Sequence, residues 1–276
     1  MSDSNEEQEV TSTRISSLRR FRGEEMTFME HLEELRGTLV KCSIAYLVAC
    51  GILTYFLKEV AQWLNWPMKE AMRLAGGATE QALILTSPMG VFSVSIQLIL
   101  MGGLVLSMPF LIFFFSQFVA PALNERELRV LRPTGLAILG LFLVGCGFSF
   151  FILVPGALAA AIKLADLYEF KNLWAADYYY SLLTWMTVGV GLTFEFPLVL
   201  LLLVKIGVLT GKKLISWWRH SAVFFLIFSA IITPTADPVT FLLLAIPLFI
   251  LYLIAAIVAM GMDKKKAEAA ADEDAL

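Results

Sequence analysis

The sequence predicts an all-α membrane protein with six transmembrane helices. Three observations point there. Of 276 residues, 58% are hydrophobic and only 16% charged, with a mean hydropathy of +0.76, whereas soluble domains carry about a quarter charged residues. The apolar residues collect into six runs of roughly membrane-crossing length, separated at charges and prolines. Lysines and arginines fall into alternate loops, as in chains oriented by the positive-inside rule. The net charge of −3 carries little weight, because the acids gather in the tails, at Glu6, Glu7 and Glu9 and at Asp272, Glu273 and Asp274.

Residues 1–26 are polar and begin acidic, which predicts a disordered tail and argues against a cleavable secretory signal or a basic transit peptide. Within this tail Ser17-Leu18-Arg19-Arg20-Phe21 imitates a twin-arginine export signal, but Glu24 and Glu25 follow where an apolar segment is needed, so it reads as a basic juxtamembrane patch. Thr27 and Glu30 have capping-box spacing, and Phe28, Leu32, Leu35 and Leu39 recur at helical spacing. They predict an amphipathic surface helix that continues into the first span, residues 38–57. The second run, 88–118, lies in an uncharged stretch with Ser107 and Pro109, which predicts a tilted, proline-kinked helix. The third, 134–161, carries Gly135, Gly140, Gly145 and Gly147 at spacings suited to close helix approach.

The fourth run, 179–204, holds one charge, Glu195, in Phe194-Glu195-Phe196-Pro197. In the fifth, 216–233, the uncharged stretch is about 16 residues long, or roughly 24 Å of helix. Trp217 and Trp218 stand at its interface. A tight connection through Pro234, Asp237 and Pro238 leads to the sixth run, 239–261. The last two spans are therefore expected to be short and to form one hairpin, with a disordered tail over 263–276.

One set of loops carries Arg14, Arg19, Arg20, Arg22 and Arg36, then Arg126, Arg129 and Arg132, then Lys205, Lys212, Lys213 and Arg219, then Lys264, Lys265 and Lys266. The opposite set has Lys58, Lys69, Arg73, Lys163 and Lys171. Both termini are expected in the cytoplasm.

The chemistry left open is narrow. His31 and His220 both fall at span edges, so a histidine-based catalytic triad or a metal centre within the membrane is not expected. Gly207-Val208-Leu209-Thr210-Gly211-Lys212-Lys213 misses the phosphate-binding loop by one spacer and its final Ser or Thr. Cys42, Cys50 and Cys146 lack ligand spacing and read as small buried hydrophobes. No enzyme, cofactor, metal or nucleic-acid partner is implied. Intramembrane carboxylates are costly, by roughly 2.5 kcal/mol or more, so Glu195 is expected to face a bundle interior, a wet cavity or a partner.

Two acid clusters lie on the expected cytoplasmic side. The first is Glu30, Glu33 and Glu34 with Arg36; the second is Glu125 and Glu127 with Arg126 and Arg129. Solvated acids explain the first by spacing alone, and Asn124 with Glu127 also fits a helix cap. Converging on one cationic ligand, they would favour guanidinium, whose planar fork meets carboxylates in a bidentate fashion.

The motifs occur in a recognisable order: His31-Leu32-Glu33-Glu34-Leu35-Arg36, Ser87-Pro88, Phe118-Val119-Ala120-Pro121-Ala122-Leu123 with Glu127-Leu128-Arg129, Phe194-Glu195-Phe196-Pro197, Thr233-Pro234 with Asp237, and Leu244-Ala245-Ile246-Pro247. In these the chain resembles the TatC family, the multispanning receptor subunit of the twin-arginine protein translocase. The resemblance covers residues 27–262 and implies a curved six-helix bundle in a bacterial inner membrane. That bundle would bind twin-arginine signal peptides of folded precursors at the cytoplasmic face. It implies signal-peptide contact at His31, Glu33, Glu34, Arg36, Glu127 and Arg129, and contact of Glu195 with the signal hairpin or with partners. Pro67 and Asp237 match external-loop positions of the family. The implied partners are TatA-like and TatB-like single-span subunits, precursor proteins and membrane lipid, within an oligomer driven by the proton motive force. Phe241 stands where the family often has Gln, and one extra residue separates Pro234 from Asp237. A different class of function, an ion-coupled secondary transporter using Glu195, would also place a lone carboxylate in a span. A scaffold without ligand recognition is a third reading.

Overall fold

The structure, a computed structural model, describes residues 28–76, 83–119, 125–170, 173–205, 207–233 and 237–273; side chains at 28, 30, 119, 125–132 and 265–273 fall outside that description. The described residues are helical almost throughout, with one isolated parallel bridge between Ile84 and Ala175. The amphipathic segment and the first span form one helix, α1 (Phe28–Tyr55), as expected. Two short helices follow, α2 (Leu57–Leu64) and α3 (Trp66–Ala75), before α4 (Gly90–Val119), which continues through Pro109. The third span consists of α5 (Glu125–Phe148), a π turn (Ser149–Leu153) and α6 (Val154–Leu167). Pro155 lacks the N–H that an uninterrupted α-helix would use, and the wider turn sits just ahead of it.

The fourth span breaks into α7 (Ala176–Thr193) and α8 (Phe196–Lys205) around Phe194 and Glu195. A short helix, α9 (Gly211–Ser216), precedes α10 (Trp218–Ile232), and α11 (Pro238–Glu273) closes the chain. Among the described residues, five helical spans are long and apolar enough to cross a membrane, while the 15-residue α10 is a shorter apolar helix. The fifth span is short, as expected, but the sixth is not. Its apolar part covers Pro238–Lys264, or 27 residues, enough for a full crossing. Helix α11 also runs on to Glu273, past the expected boundary at 262. Ala, Lys and Glu dominate this extension, and all three are strong helix formers.

The helices divide into two compact units. One contains the start of α1, the end of α4 and the start of α5. There the His31 ring stacks on Phe118 with centroids 4.5 Å apart. A methyl group at Gly135 would rest against Ile112 and Ser116 at 3.5 Å, so α5 and α4 lie in ordinary contact.

The second unit, residues 46–108 and 136–276, holds the main core. Phe142, Leu153, Leu158, Tyr179, Leu183, Met186, Leu244 and Leu248 are almost fully buried there. Glycine decides how closely its helices pass. A Cβ at Gly145 would lie 2.8 Å from Phe194 and 3.0 Å from the Gly191 backbone, and one at Gly191 would lie 2.6 Å from Cys146. The glycine spacing of the third span is thus used for close approach at Gly145, whereas Gly140 and Gly147 face open space. Cys50 and Cys146 are buried as expected, but Cys42 is only half-buried on α1.

Helices α2 and α3 cover α6 and the start of α7. Tyr179 donates to the Leu64 carbonyl at 2.6 Å, Tyr180 donates to Asn65 at 3.0 Å, and Trp63 stacks on Phe150 at 4.7 Å. Pro67, Met68 and Ala71 are buried in this contact. On the exposed side of α3, Arg73 pairs with Glu70 and holds its carboxyl below the usual range. Tyr179→Phe is expected to cost about 1 kcal/mol, the net worth of one buried hydrogen bond. A thermal melt in detergent should register a small drop; an unchanged melt would mean that the Leu64 carbonyl finds another donor.

Candidate functional site

The N-terminal end of α1 presents two faces. Residues two apart on a helix point roughly 200° from each other, so Glu34 and Arg36 diverge although they share a motif. His31 and Glu34 are half-buried and Thr38 is buried, along one inward stripe. Arg36 is exposed and lines an open apolar groove with Leu32, Leu35, Leu39, Val40 and Ile44. Glu33 is exposed. The expected cluster is therefore split: Glu34 and His31 look inward, and Arg36 does not join them.

Glu34 has a distinctive environment. Its Oε2 atom is buried and has no hydrogen-bond partner among the described residues. A buried carboxylate oxygen without a donor costs about 1–3 kcal/mol or more, and such a group stays acceptable when a ligand supplies the donor. Glu127 and Arg129 lie in the first turns of α5, within the same compact unit as Glu34. Their side chains, like that of Glu30, fall outside the described residues. The backbone still brings both acid-bearing segments into one unit, although more than 90 residues separate them in sequence.

Glu195 sits at the break between α7 and α8. Its N–H donates to the Leu192 carbonyl at 3.1 Å, and its carbonyl accepts from Leu198 and Val199 at 3.0 and 3.2 Å. Pro197 is buried at the start of α8. Phe194 fills the notch left by Gly145, which fixes the backbone on which Glu195 stands. The side chain is half-buried, and Oε1 is buried without a hydrogen-bond partner among the described residues. The carboxylate is held by a backbone hydrogen bond at Phe142, which leaves Oε1 as its open acceptor.

The family model for Sec-independent protein translocase protein (TatC) matches residues 30–247. The chain belongs to the TatC family. Curated relatives named Sec-independent protein translocase protein TatC include one from Synechocystis sp., 32% identical over 80% of this chain and 83% of its own length. Another, from Aquifex aeolicus, is 34% identical over 88% of this chain and 98% of its own. A crystal structure titled as the twin arginine translocase receptor TatC superposes with a TM-score of 0.68 at 34% identity, covering 83% of this chain and 98% of that one. The all-helical, multi-pass membrane fold of the TatC family is thereby established for this chain, and with it membership of a protein translocase family.

Pro67 and Asp237, which the resemblance matches to external-loop positions, have structural duties in this TatC-family fold. Pro67 occupies the first turn of α3, where a missing N–H costs nothing. Asp237 precedes Pro238 at the start of α11 and accepts from the Thr240 N–H at 2.8 Å, an N-cap. Pro234 lies outside the described residues.

Sequence reasoning missed a clamp at the end of the fourth span. Gly207 adopts a left-handed φ of +84°, Thr210 accepts from the Lys213 N–H, and the Gly211 N–H donates to Asp263 at 2.6 Å. Tyr252 donates to the Leu214 carbonyl at 2.6 Å. The segment that resembled a phosphate loop is a helix start tied to α11. Thr210, a favoured N-cap residue ahead of Gly211, was the available signal.

Proposed function

We propose that this chain is the receptor and core subunit of a twin-arginine translocase, with Glu34 and Glu127 supplying carboxylates to the arginine pair of a signal peptide at the cytoplasmic face. What carries the proposal is the buried Glu34 Oε2, without a hydrogen-bond partner among the described residues, in the same compact unit as the Glu127 backbone. A guanidinium would provide the missing donors in bidentate form, and lysine would not match that geometry. His31, stacked on Phe118, positions the inward stripe, the exposed Glu33 adds charge beside it, and Arg129 is proposed to join from the first turns of α5. Arg36, exposed beside the apolar groove, is proposed to contact the signal peptide from the opposite face of α1. The chain acts without catalysis. It sits in a bacterial inner membrane with both termini inside, organises TatA-like and TatB-like subunits around residues 27–262, and works as an oligomer on the proton motive force.

The test is photocrosslinking of a twin-arginine signal peptide and its two-lysine counterpart to the chain in membranes. Selective capture of the arginine peptide, lost in Glu127→Ala, supports the reading. Equal capture of both peptides would sink it.

Glu195 takes the role of a polar contact for a partner or for the signal hairpin. Glu195→Gln keeps the shape of the side chain and an acceptor for the Phe142 backbone, so the isolated chain should melt close to wild type while export falls. A lower melting temperature would make Glu195 a structural residue. Ion-coupled transport through Glu195 is the competing reading; it calls for substrate uptake by the purified chain in liposomes, blocked in the same variant.

A further inference from the structure

The seam between the third and fourth spans carries two hydroxyls that the fold does not use. Serines and threonines in apolar helices can donate back to the carbonyl four residues earlier. Thr54, Ser95, Ser116, Thr184, Thr193 and Thr233 all do so in this chain. Ser149 and Thr187 do not. Each hydroxyl oxygen is buried without a hydrogen-bond partner among the described residues, and Ser149 as a whole is 0% exposed.

Their positions bring the two together. Gly145 and Cys146 of α5 meet Gly191 and Phe194 of α7 at close approach. The π turn, which begins at Ser149, packs on α7 as well, so the seam continues past the glycines. Because the helices run in opposite directions, one turn beyond the glycine contact reaches Ser149 on one side and Thr187 on the other. At about 100° per residue, Ser149 falls between Gly145 and Cys146 around its helix, and Thr187 falls between Gly191 and Phe194. Both side chains therefore point into the seam.

We infer that Ser149 and Thr187 hold a buried water molecule between the third and fourth spans. An enclosed site admits only a small ligand. Two neutral hydroxyls suit water rather than a cation, since the nearest carboxylate along α7, Glu195, stands two turns from Thr187. A buried water makes about two to four hydrogen bonds. The hydroxyls supply two, and the Gly145 and Leu183 carbonyls, one turn back from them, each keep a second lone pair for a third. Surrounded by lipid, the hydroxyls have no bulk water to turn to, so an internal one removes the penalty of leaving them unbonded. An inserted water is also a known cause of a break in the helical hydrogen-bond ladder, and the π turn starts at Ser149 itself.

The experiment is X-ray hydroxyl-radical footprinting of the full chain in lipid nanodiscs, read by mass spectrometry at two buried cysteines. Radicals form from waters in place, so a side chain beside an internal water is oxidised although bulk solvent does not reach it. Cys146, 7% exposed, lies about one turn from Ser149 on the same seam; Cys50, 8% exposed, packs on Gly103 of α4 and serves as the reference. Cys146 is expected to oxidise severalfold faster than Cys50, to fall to the Cys50 rate when Ser149→Ala and Thr187→Val are combined, and to keep its rate in Thr187→Ser. Equal rates in wild type, or fast Cys146 oxidation that survives the combined substitution, would overturn the inference.

Discussion

Gly211→Ala is expected to lower the melting temperature of the chain in detergent by on the order of 10 °C. The added Cβ would fall 2.5 Å from the Met260 nitrogen and 2.7 Å from the Ala259 carbonyl carbon. Both atoms belong to the backbone of α11, which cannot rotate away as a side chain would. Helix α9 must therefore move off α11, stretching the Gly211 to Asp263 and Tyr252 to Leu214 hydrogen bonds together. Overpacking costs about 1–3 kcal/mol and a hydrogen bond to a charged group about 1.5–3 kcal/mol. About 3 kcal/mol in a chain of this size corresponds to the stated shift. Asp263→Ala leaves the close approach intact and should show a smaller drop. A melt of Gly211→Ala that matches wild type would contradict the clamp.

The second large effect has the opposite signature. Glu34→Gln should weaken binding of a twin-arginine peptide by about tenfold to a hundredfold and leave the melting temperature unchanged. The amide keeps the shape of the carboxylate but gives up the charge-assisted bond, worth about 1.5–3 kcal/mol. Stability is spared because the buried Oε2 has no hydrogen bond among the described residues to lose. Weaker binding accompanied by a lower melting temperature would instead place Glu34 among the structural contacts of α1.

Much of this architecture was legible in the sequence, and the exceptions have physical reasons. Apolar runs bounded by charges located the spans, and the periodicity of residues 28–39 anticipated a helix continuous with the first, while the expected Thr27 cap lies outside the described residues. The sixth span was expected to be short because it follows a short fifth through a tight connection. Its own apolar run, up to Lys264, contains enough residues to cross. Helices α2 and α3 lie in a loop whose mean apolarity is low. What fixes them is tertiary: Tyr179 and Tyr180, more than 110 residues further on, bond to their ends.

The candidate site shows the same division. Motif similarity groups Glu34 with Arg36, but a two-residue step on a helix sends them to opposite sides, and this could have been read from spacing alone. The Asp237 cap was equally readable from Asp-Pro at a helix start. The notch that seats Phe194 against Gly145 was not, since nothing local to either residue reveals the other.

The central claim is recognition of paired arginines by paired acids. Its most direct test is equilibrium binding of a twin-arginine signal peptide and its two-lysine counterpart to the purified chain in lipid nanodiscs, with Glu34→Gln and Glu127→Ala in parallel. Wild type is expected to bind the arginine peptide at least about tenfold more tightly, and either substitution to remove the difference. Equal affinities in wild type, or a preference that survives both substitutions, would contradict it.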